Sequence, residues 1–439
     1  MSPFLPLIMF ALLIFLLIVG MPIVYALSAV SLGVAITLWG FGSIFAILTS
    51  TVTTMMNWNL LATPLFCFMS LMLFESGVVE DLYEAFYSWT AGLRGGLAMA
   101  TVFVGALMGA MTGVVAGTVT ALTVISLPQM LKYKYDDKIA MGSVLSGGTL
   151  GQLIPPSTNM IVYGTITSVS VGGLFAGGMS AGIVLALLYC GYIAIRCAFN
   201  KDLCPVMPME DRKTLKENII GLKKIFWPCL LILLVLGAIY GGIATPTEAA
   251  AVGCVGATVI AILNGRFTFK RLLSASMGTL RNIAMVGWIT LAASYFGAVF
   301  VAIGGNKFVA ELAAMIPGGS YGLVITLLTI IFFLGMFLDP IAIIVICAPI
   351  FTPLITGAGI DPLHFAICLM VALQCGYLTP PFGFSLFYMK NAAGGAKELA
   401  HIELKEIYKA AIPFVAVQLI GLTLCIFVPS LTMWGLKLM

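Results

Sequence analysis

The chain alternates between long apolar segments and short polar ones over its whole length. Apolar segments of 18 or more residues recur from one end to the other. A helix needs about 20 residues to cross hydrocarbon about 30 Å thick, so the pattern predicts an all-α polytopic membrane protein. The first apolar segment, 4–22, has neither a basic leader nor a small-residue cleavage site, and we interpret it as a retained helix rather than a signal peptide.

The apolar segments are of two kinds, continuous and interrupted. Single helices are predicted over 4–22, 24–45 and 60–88, with closing crossings at 171–195 and 411–435. Four segments are interrupted by glycine or proline, at 98–130, 140–163, 320–355 and 365–388. We expect two hairpins, 98–130 and 320–355, and two broken helices, 140–163 and 365–388. The total is about ten crossings.

Self-comparison of the sequence reveals an internal repeat. A set of five residues in the first half recurs in the second at a constant displacement of 225: Gly151, Leu153, Pro155, Pro156 and Tyr163 recur as Gly376, Leu378, Pro380, Pro381 and Tyr388. Such fixed-period similarity indicates an internal duplication. We predict repeats at 1–196 and 225–439, joined by a polar cytoplasmic linker at 197–224 that is rich in Lys and Arg.

The positions of basic residues indicate that the two repeats are inverted. The loop with Lys132, Lys134 and Lys138 corresponds to 356–364, which has no Lys or Arg. Two further pairs of corresponding stretches, one around Arg266 to Arg281 and one around Lys390 to Lys409, also have basic residues in only one copy. Because cytoplasmic loops are enriched in Lys and Arg, corresponding loops are predicted to lie on opposite sides of the membrane, with the amino terminus outside.

Inversion gives the two hairpins opposite orientations. Segment 98–130 lies between Arg94 and Lys132, two cytoplasmic markers, and its middle is rich in glycine. We therefore predict a re-entrant hairpin open to the cytoplasm, and expect its counterpart, 320–355, to enter from the outside. The predicted fold is an inverted-repeat, elevator-type secondary transporter with two opposed re-entrant hairpins.

Composition excludes several other classes of protein. Hydrophobic residues make up 61% of the chain and charged residues 9%, against about 25% charged in soluble domains. The ten cysteines show no CxxC or Cys/His spacing, so we treat them as small hydrophobic residues. The sequence has no HExxH, GxSxG or P-loop motif, and neither an enzyme nor an ATP-driven pump is expected.

The interrupted segments are where binding chemistry is expected. Irregular backbone survives at membrane depth only where protein or a water-filled cavity supplies hydrogen-bond partners. Two consecutive prolines free the carbonyls of the preceding turn for a hard cation, and the amino end of the next helix favours an anion. The candidate ligand groups lie around Gly109, Thr112, Gly113, Gly117, Thr118, Ser157 and Asn159, and around Gly335, Asp339, Thr379 and Gly383. The alternative is that these glycines only pack helices.

Asp339 is the one carboxylate that we place near the middle of a hairpin. An ionisable residue inside a membrane is by default a functional hypothesis. Asp followed by Pro is also a good helix start, so Asp339 is equally a candidate N-cap. Both interpretations remain open from the sequence.

Four motifs resemble the large membrane subunit of the tripartite ATP-independent periplasmic (TRAP) transporters. They are GQLIPPSTNMIVYG, GMFLDPIAIIVICAPIFTPL, ATPTEAAAVG and GYLTPPFGFSLF. The resemblance covers essentially the whole chain. It implies a sodium-driven importer in the bacterial inner membrane, with a scaffold and a mobile transport domain. It also implies a small four-helix membrane subunit, a soluble periplasmic substrate-binding protein, and a small organic anion with a carboxylate or sulfonate as substrate.

The same resemblance implies two sodium sites and a substrate site. The first sodium site comprises Gly109, Thr112, Gly113, Gly117, Thr118, Gly151, Pro155, Pro156 and Ser157. The second comprises Gly335, Asp339, Pro340, Gly376, Thr379, Pro380 and Gly383. The substrate residues are Thr112, Ser157, Asn159, Thr379 and Pro381. The first hairpin tip, MTGVVAGT, has fewer serines than the family pattern, which leaves open whether hydroxyls or only carbonyls bind the ion.

The expected mechanism is an elevator-like cycle in which hairpins and broken helices move as one body. Adjacent cation and anion sites favour each other's occupation, so a sodium gradient can drive uptake. The alternatives are a stand-alone sodium/anion symporter without a binding protein, and a channel or ion exchanger without an organic substrate. A purely structural membrane scaffold is disfavoured by the paired helix breaks.

Overall fold

A computed structural model of the chain describes residues 4–113, 115–212 and 214–438. Within these ranges 81% of the chain is helical and no strand is present, which confirms the predicted all-α class. A helix pairs its main-chain donors and acceptors within one segment, as a lipid environment requires.

The described residues form twenty α-helices, ten before residue 200 and ten after residue 214. The first ten are α1 (Leu5–Ile18), α2 (Ile23–Trp39), α3 (Ser43–Met55), α4 (Trp58–Glu75), α5 (Val78–Thr90), α6 (Gly96–Thr112), α7 (Val115–Lys132), α8 (Asp137–Thr149), α9 (Thr158–Thr167) and α10 (Val171–Phe199). The others are α11 (Leu215–Tyr240), α12 (Pro246–Leu263), α13 (Phe269–Ala302), α14 (Gly305–Ala314), α15 (Gly319–Gly335), α16 (Pro340–Gly357), α17 (Pro362–Leu378), α18 (Phe384–Gly395), α19 (Leu404–Phe427) and α20 (Ser430–Met433). Short 3-10 turns occupy Leu150–Gln152, Met209–Asp211 and Trp434–Leu438.

The helix bounds recur at the spacing found in the sequence. Helices α7 and α16 each have 18 residues and are displaced by 225 residues at both ends. The starts of α8 and α17 show the same displacement. The similarity is in element order and length, and the inverted orientation of the halves stays a prediction.

Several helices are long and apolar enough to cross a membrane. Among the described residues, seven helices are long and apolar enough to cross a membrane, or up to nine if each of two bent helix pairs is one span. Shorter apolar helices include α1, α2, α3, α6 and α17. The chain is therefore a polytopic helical membrane protein, and the count of about ten crossings stays a prediction.

Two predicted single helices are in fact divided. Segment 60–88 forms α4 and α5, which are separated at Gly77 with φ of +71°. Helix α2 ends before Gly40, which has φ of +73°, and the separate helix α3 follows. Glycine tolerates a positive φ and so ends a helix. The hydrophobic pattern runs on through the break at Gly40, whereas Glu75 and Ser76 precede the break at Gly77.

The polar stretch between the repeats contains more helix than the sequence indicated. Helix α10 continues to Phe199, and α11 already begins at Leu215. The Thr214 hydroxyl and the Glu217 carboxylate form a capping box that satisfies main-chain donors at this start. The irregular segment is therefore shorter than the predicted linker at 197–224.

Two groups of helices position the site. The hairpin group consists of α6–α9 and α15–α18, in which α6 and α7 contact α8, and α15 contacts α17. Within it α7 contacts α18 and α9 contacts α16, so the two halves of the chain interlock. The frame group consists of α2, α4, α12 and α13, in which α4 contacts α12 and α13, and α13 contacts α2. The two groups meet where α4 contacts α9 and α13 contacts α16.

A charged side chain fixes the break between α4 and α5. One guanidinium nitrogen of Arg266, in the turn before α13, donates to Ser76 O at 3.1 Å and to Gly77 O at 2.8 Å. The same nitrogen lies 2.6 Å from a carboxylate oxygen of Asp81 in α5. Arg266 thus pairs the terminal carbonyls of α4 with a donor and links them to the first turns of α5.

Candidate functional site

A close backbone contact joins the first hairpin to the first broken helix. A Cβ atom on Gly151 would stand 2.6 Å from Gly109 Cα and 3.6 Å from Thr118 Oγ1. Only a residue without a side chain fits at this approach. Gly109, Thr118 and Gly151, three predicted members of the first sodium site, are therefore brought together.

The tip of this hairpin lies against the first double proline. Helix α6 ends at Gly113, which has φ of +60° and whose N–H donates to Gly109 O at 2.7 Å. A Cβ atom on Gly113 would stand 2.7 Å from Pro156 O. The Pro155–Pro156 segment and Ser157 are buried, and the Ser157 hydroxyl has no hydrogen-bond partner among the described residues.

One predicted residue of the first hairpin is not brought into this contact, and the side chain of another lies outside what the structure describes. Gly117 lies on an exposed face of α7, and a Cβ atom there would meet nothing within 4 Å. Thr112 is the last residue of α6, but its side chain lies outside what the structure describes. Val114, at the hairpin tip, also lies outside the described residues.

The second hairpin meets the second broken helix in the same way. A Cβ atom on Gly376 would stand 2.7 Å from Gly335 Cα. Pro340 begins α16, and Asp339 caps it, since one carboxylate oxygen accepts from Ile341 N at 3.0 Å. The N-cap interpretation of Asp339 is confirmed, and its role as a sodium ligand stays a prediction.

Carbonyl groups gather around Gly383, just after the second double proline. A Cβ atom on Gly383 would stand 2.7 Å from Tyr377 O and 2.8 Å from Thr379 O. The Ser385 hydroxyl donates to Tyr377 O at 2.6 Å. A carbonyl oxygen has two lone pairs, so Tyr377 O retains capacity for a second partner. The backbone here is shaped to hold oxygen atoms close together.

The Thr379 hydroxyl, predicted for the second sodium site and the substrate site, and the Pro381 carbonyl, in a residue predicted for the substrate site, are both hydrogen-bonded within the chain. The Thr379 hydroxyl donates to Cys375 O at 2.7 Å, which closes the end of α17. Pro381 is exposed, and its carbonyl accepts from the Tyr408 hydroxyl. Pro380 is half-buried between them. Neither Thr379 nor Pro381 lines the central cavity that is described next.

A cavity of about 180 Å³ lies between the hairpin group and the frame group. Its walls include the first residues of four helices: Val115 of α7, Thr158 of α9, Pro340 of α16 and Phe384 of α18. Helix amino ends carry partial positive charge and unpaired N–H groups, so their convergence favours a bound anion. Each of these helices begins at one of the breaks that the sequence singled out.

The polar side chains in this cavity include predicted and unpredicted residues. Asn159 and Asp339 were expected from the sequence, and both line the cavity. Tyr377, Tyr388 and Asn282 also line it and were missed. The self-comparison paired Tyr388 with Tyr163 but assigned it no role, whereas Asn282 lies inside the unbroken helix α13, where no pattern draws attention to it.

The residues present fit sodium through oxygen atoms rather than through a dense cluster of side chains. Hard cations take main-chain carbonyl oxygens, and transporters bind sodium at such unwound backbone. The described residues contain no group of three His, Cys, Asp or Glu side chains placed to hold a metal ion. Carbonyl oxygens of this type lie near Gly113 and Gly383, and sodium binding by them stays a prediction.

Broken helices around a cavity, in a polytopic helical bundle, are typical of secondary transporters. Residues 10–431 match the family described as tripartite ATP-independent periplasmic transporter, DctM component. The chain belongs to this family, and it is a multi-pass protein of the inner membrane. The family consists of transporter permeases rather than enzymes.

Named relatives resemble the chain over nearly its whole length, and a solved structure shares its fold. The chain is 30% identical to the C4-dicarboxylate TRAP transporter large permease protein DctM of Vibrio cholerae, over 96% of each chain. It is 27% identical to the ectoine TRAP transporter large permease protein TeaC of Halomonas elongata, over 97% of this chain and 98% of the relative. The Alcanivorax borkumensis YdaH transporter shares the fold with a TM-score of 0.63 at 15% identity, over 96% of this chain and 97% of that one.

Proposed function

We propose that this chain is the large permease subunit that carries a small organic anion into the cell, coupled to sodium. The observation that carries the proposal is the convergence of four helix amino ends, those of α7, α9, α16 and α18, on one cavity. A carboxylate or sulfonate group placed there receives main-chain N–H donors and the favourable end of each helix dipole. The C4-dicarboxylate and ectoine relatives name two classes of compound to test.

Sodium coupling is proposed from the backbone around the two glycine contacts. The first ion site would use main-chain oxygens near Gly113 and Pro156 with the Ser157 hydroxyl, whose oxygen has no partner among the described residues. The second would use Tyr377 O and Thr379 O beside Gly383. Because both sites adjoin the same helix breaks as the anion cavity, each bound species stabilises the arrangement that the other needs.

The elevator-like movement is proposed from the two helix groups. The glycine contacts and the cross-half contacts of α7 with α18 and of α9 with α16 tie the hairpin group into one body. This body is proposed to move against the frame group. The proposal includes an inverted arrangement of repeats 1–196 and 225–439, with hairpins that open to opposite sides.

The proposed partners are a small four-helix membrane subunit and a soluble periplasmic substrate-binding protein. They follow from membership of a tripartite family. The stand-alone sodium/anion symporter and the ion exchanger are the alternatives that the experiment must separate from this assembly.

The test is uptake into proteoliposomes that contain the chain with its small membrane subunit, with and without the binding protein. Radiolabelled succinate, N-acetylneuraminate, ectoine and isethionate are supplied with an inward sodium gradient or a matched potassium gradient. We expect accumulation of one compound that requires both sodium and the binding protein. Sodium-dependent accumulation without the binding protein would identify the stand-alone symporter, and sodium flux without any organic uptake would identify an ion exchanger.

A further inference from the structure

The frame group contributes its own polar contact to the anion cavity. Asn282 lies near the middle of α13 and lines the cavity, as does Cys67 of α4. The helix amino ends belong to the hairpin group, and α13 belongs to the frame group. Asn282 therefore lines the cavity from a different body of the protein.

The Asn282 side chain makes one hydrogen bond within the chain and retains further hydrogen-bonding capacity. Its Nδ2 donates to Cys67 Sγ at 3.6 Å. An amide has two N–H donors and a carbonyl acceptor, and no hydrogen bond from another described residue to this side chain is present. A second N–H and the carbonyl are left for a molecule in the cavity.

A second polar side chain among the residues that line the cavity has a hydroxyl without a partner in the described part of the chain. The Tyr377 side chain is 1% exposed, and its hydroxyl makes no hydrogen bond with the described residues. Buried polar atoms without partners are costly, and polar groups within a membrane are functional by default. Asn282 on α13 and Tyr377 on α17 thus both line the cavity from different helices.

We propose that Asn282 is a specificity-determining residue, which binds the end of the substrate opposite to the anionic group held by the helix amino ends. The inference rests on the proposed transport function and adds a requirement to it. The substrate must carry a second polar group, such as another carboxylate, a hydroxyl or an amidine. Compounds with a single anionic group lack the atom that Asn282 binds.

The experiment compares Asn282→Ala with wild type in the complete transporter, using the uptake assay described above. Ser276→Ala is the matched control, because Ser276 is exposed on the same helix and its hydroxyl donates a hydrogen bond to Leu272 O, one turn earlier. Asn282→Ser is a second variant, which retains a small polar group if the alanine variant fails to fold. The probes are the four two-ended compounds and, as one-ended competitors, butyrate and ethanesulfonate.

We expect Asn282→Ala to raise KM about tenfold for the transported compound, with the maximal rate changed less than twofold, because one hydrogen bond to the bound molecule is lost. Competition by the one-ended analogue of that compound should not change. Asn282→Ser should give an intermediate KM, and Ser276→Ala a wild-type KM.

Two different outcomes would contradict the role of Asn282, and the assay distinguishes them. If wild type accumulates none of the four compounds with sodium, the proposed function fails and this inference with it. If wild type transports a compound and the folded Asn282 variants keep its KM, or lose one-ended and two-ended compounds equally, only the role of Asn282 is overturned.

Discussion

Gly109 and Gly151 touch through their main chains, with the Cα atom of Gly109 only 2.6 Å from the point that a Cβ atom on Gly151 would occupy. Gly335 and Gly376 repeat the relationship in the second half, at 2.7 Å from a Cβ atom on Gly376. In both places a hairpin helix meets a broken helix through bare backbone. The four glycines thus hold the elements that surround the cavity.

The first prediction concerns this contact. Gly151→Ala should lower the stability of the purified protein by about 1 to 3 kcal/mol, because the added methyl group overlaps a backbone that cannot move aside. Thermal unfolding in detergent measures the change. Gly191→Ala is the control, since a Cβ atom there meets nothing within 4 Å and alanine favours helix. Equal stability of the two variants would show that the contact is looser than described.

The second prediction separates the two roles of Asp339. Asp339→Asn should keep the cap on α16, because an amide oxygen also accepts from Ile341 N, whereas Asp339→Ala should cost about 1 kcal/mol of stability. If the charge binds sodium, the asparagine variant should need at least tenfold more sodium for half-maximal uptake. A wild-type sodium requirement in Asp339→Asn would leave the cap as its whole function.

The third prediction uses a pair of buried serines. Ser157→Ala removes a hydroxyl without a described partner, so the melting temperature without sodium should not fall. The stabilisation that sodium adds should shrink, because a ligand that binds only the folded state raises its apparent stability. Ser385→Ala breaks the bond to Tyr377 O and should lower stability by about 1 kcal/mol with or without sodium. An undiminished sodium effect in Ser157→Ala would remove this hydroxyl from the first ion site.

The fourth prediction addresses the break between α4 and α5. Arg266→Ala should lower the melting temperature more than Asp81→Asn does, because it removes donors from two carbonyls as well as from the carboxylate. The ion pair alone is expected to contribute no more than about 1 kcal/mol, since the Arg266 side chain is 35% exposed. Lys270→Ala, at an exposed position in the first turn of α13, is the control. Equal losses in Arg266→Ala and Asp81→Asn would assign the whole effect to the ion pair.

The sequence predicted the parts of the fold that depend on backbone chemistry. Double prolines and glycine-rich tips cannot continue a helix, so the breaks before Val115, Thr158, Pro340 and Phe384 could be placed from residue types alone. The break at Gly40 was missed because apolar residues continue on both sides, and hydrophobicity does not report a glycine with positive φ. The break at Gly77 follows the polar pair Glu75 and Ser76, a local signal that the prediction of one helix over 60–88 did not use.

The cavity side chains were harder to predict for a different reason. Thr379 was expected to bind substrate because it adjoins the double proline, yet its hydroxyl is used by the end of α17. Asn282 and Cys67 enter the cavity only through the packing of α13 on α4, a contact between residues 215 positions apart. No local pattern in a single sequence encodes such a distant pairing.

The glycine contacts also limit how the substrate specificity of this fold can change. Where main chain rests on main chain, the spacing between helices leaves no room for adjustment by larger or smaller side chains. We therefore expect a relative that binds a longer or bulkier compound to keep the four glycines and to differ in side chains that line the cavity, such as Asn159 and Asn282. Substrate selectivity can then change through these side chains while the backbone geometry around the cavity is retained.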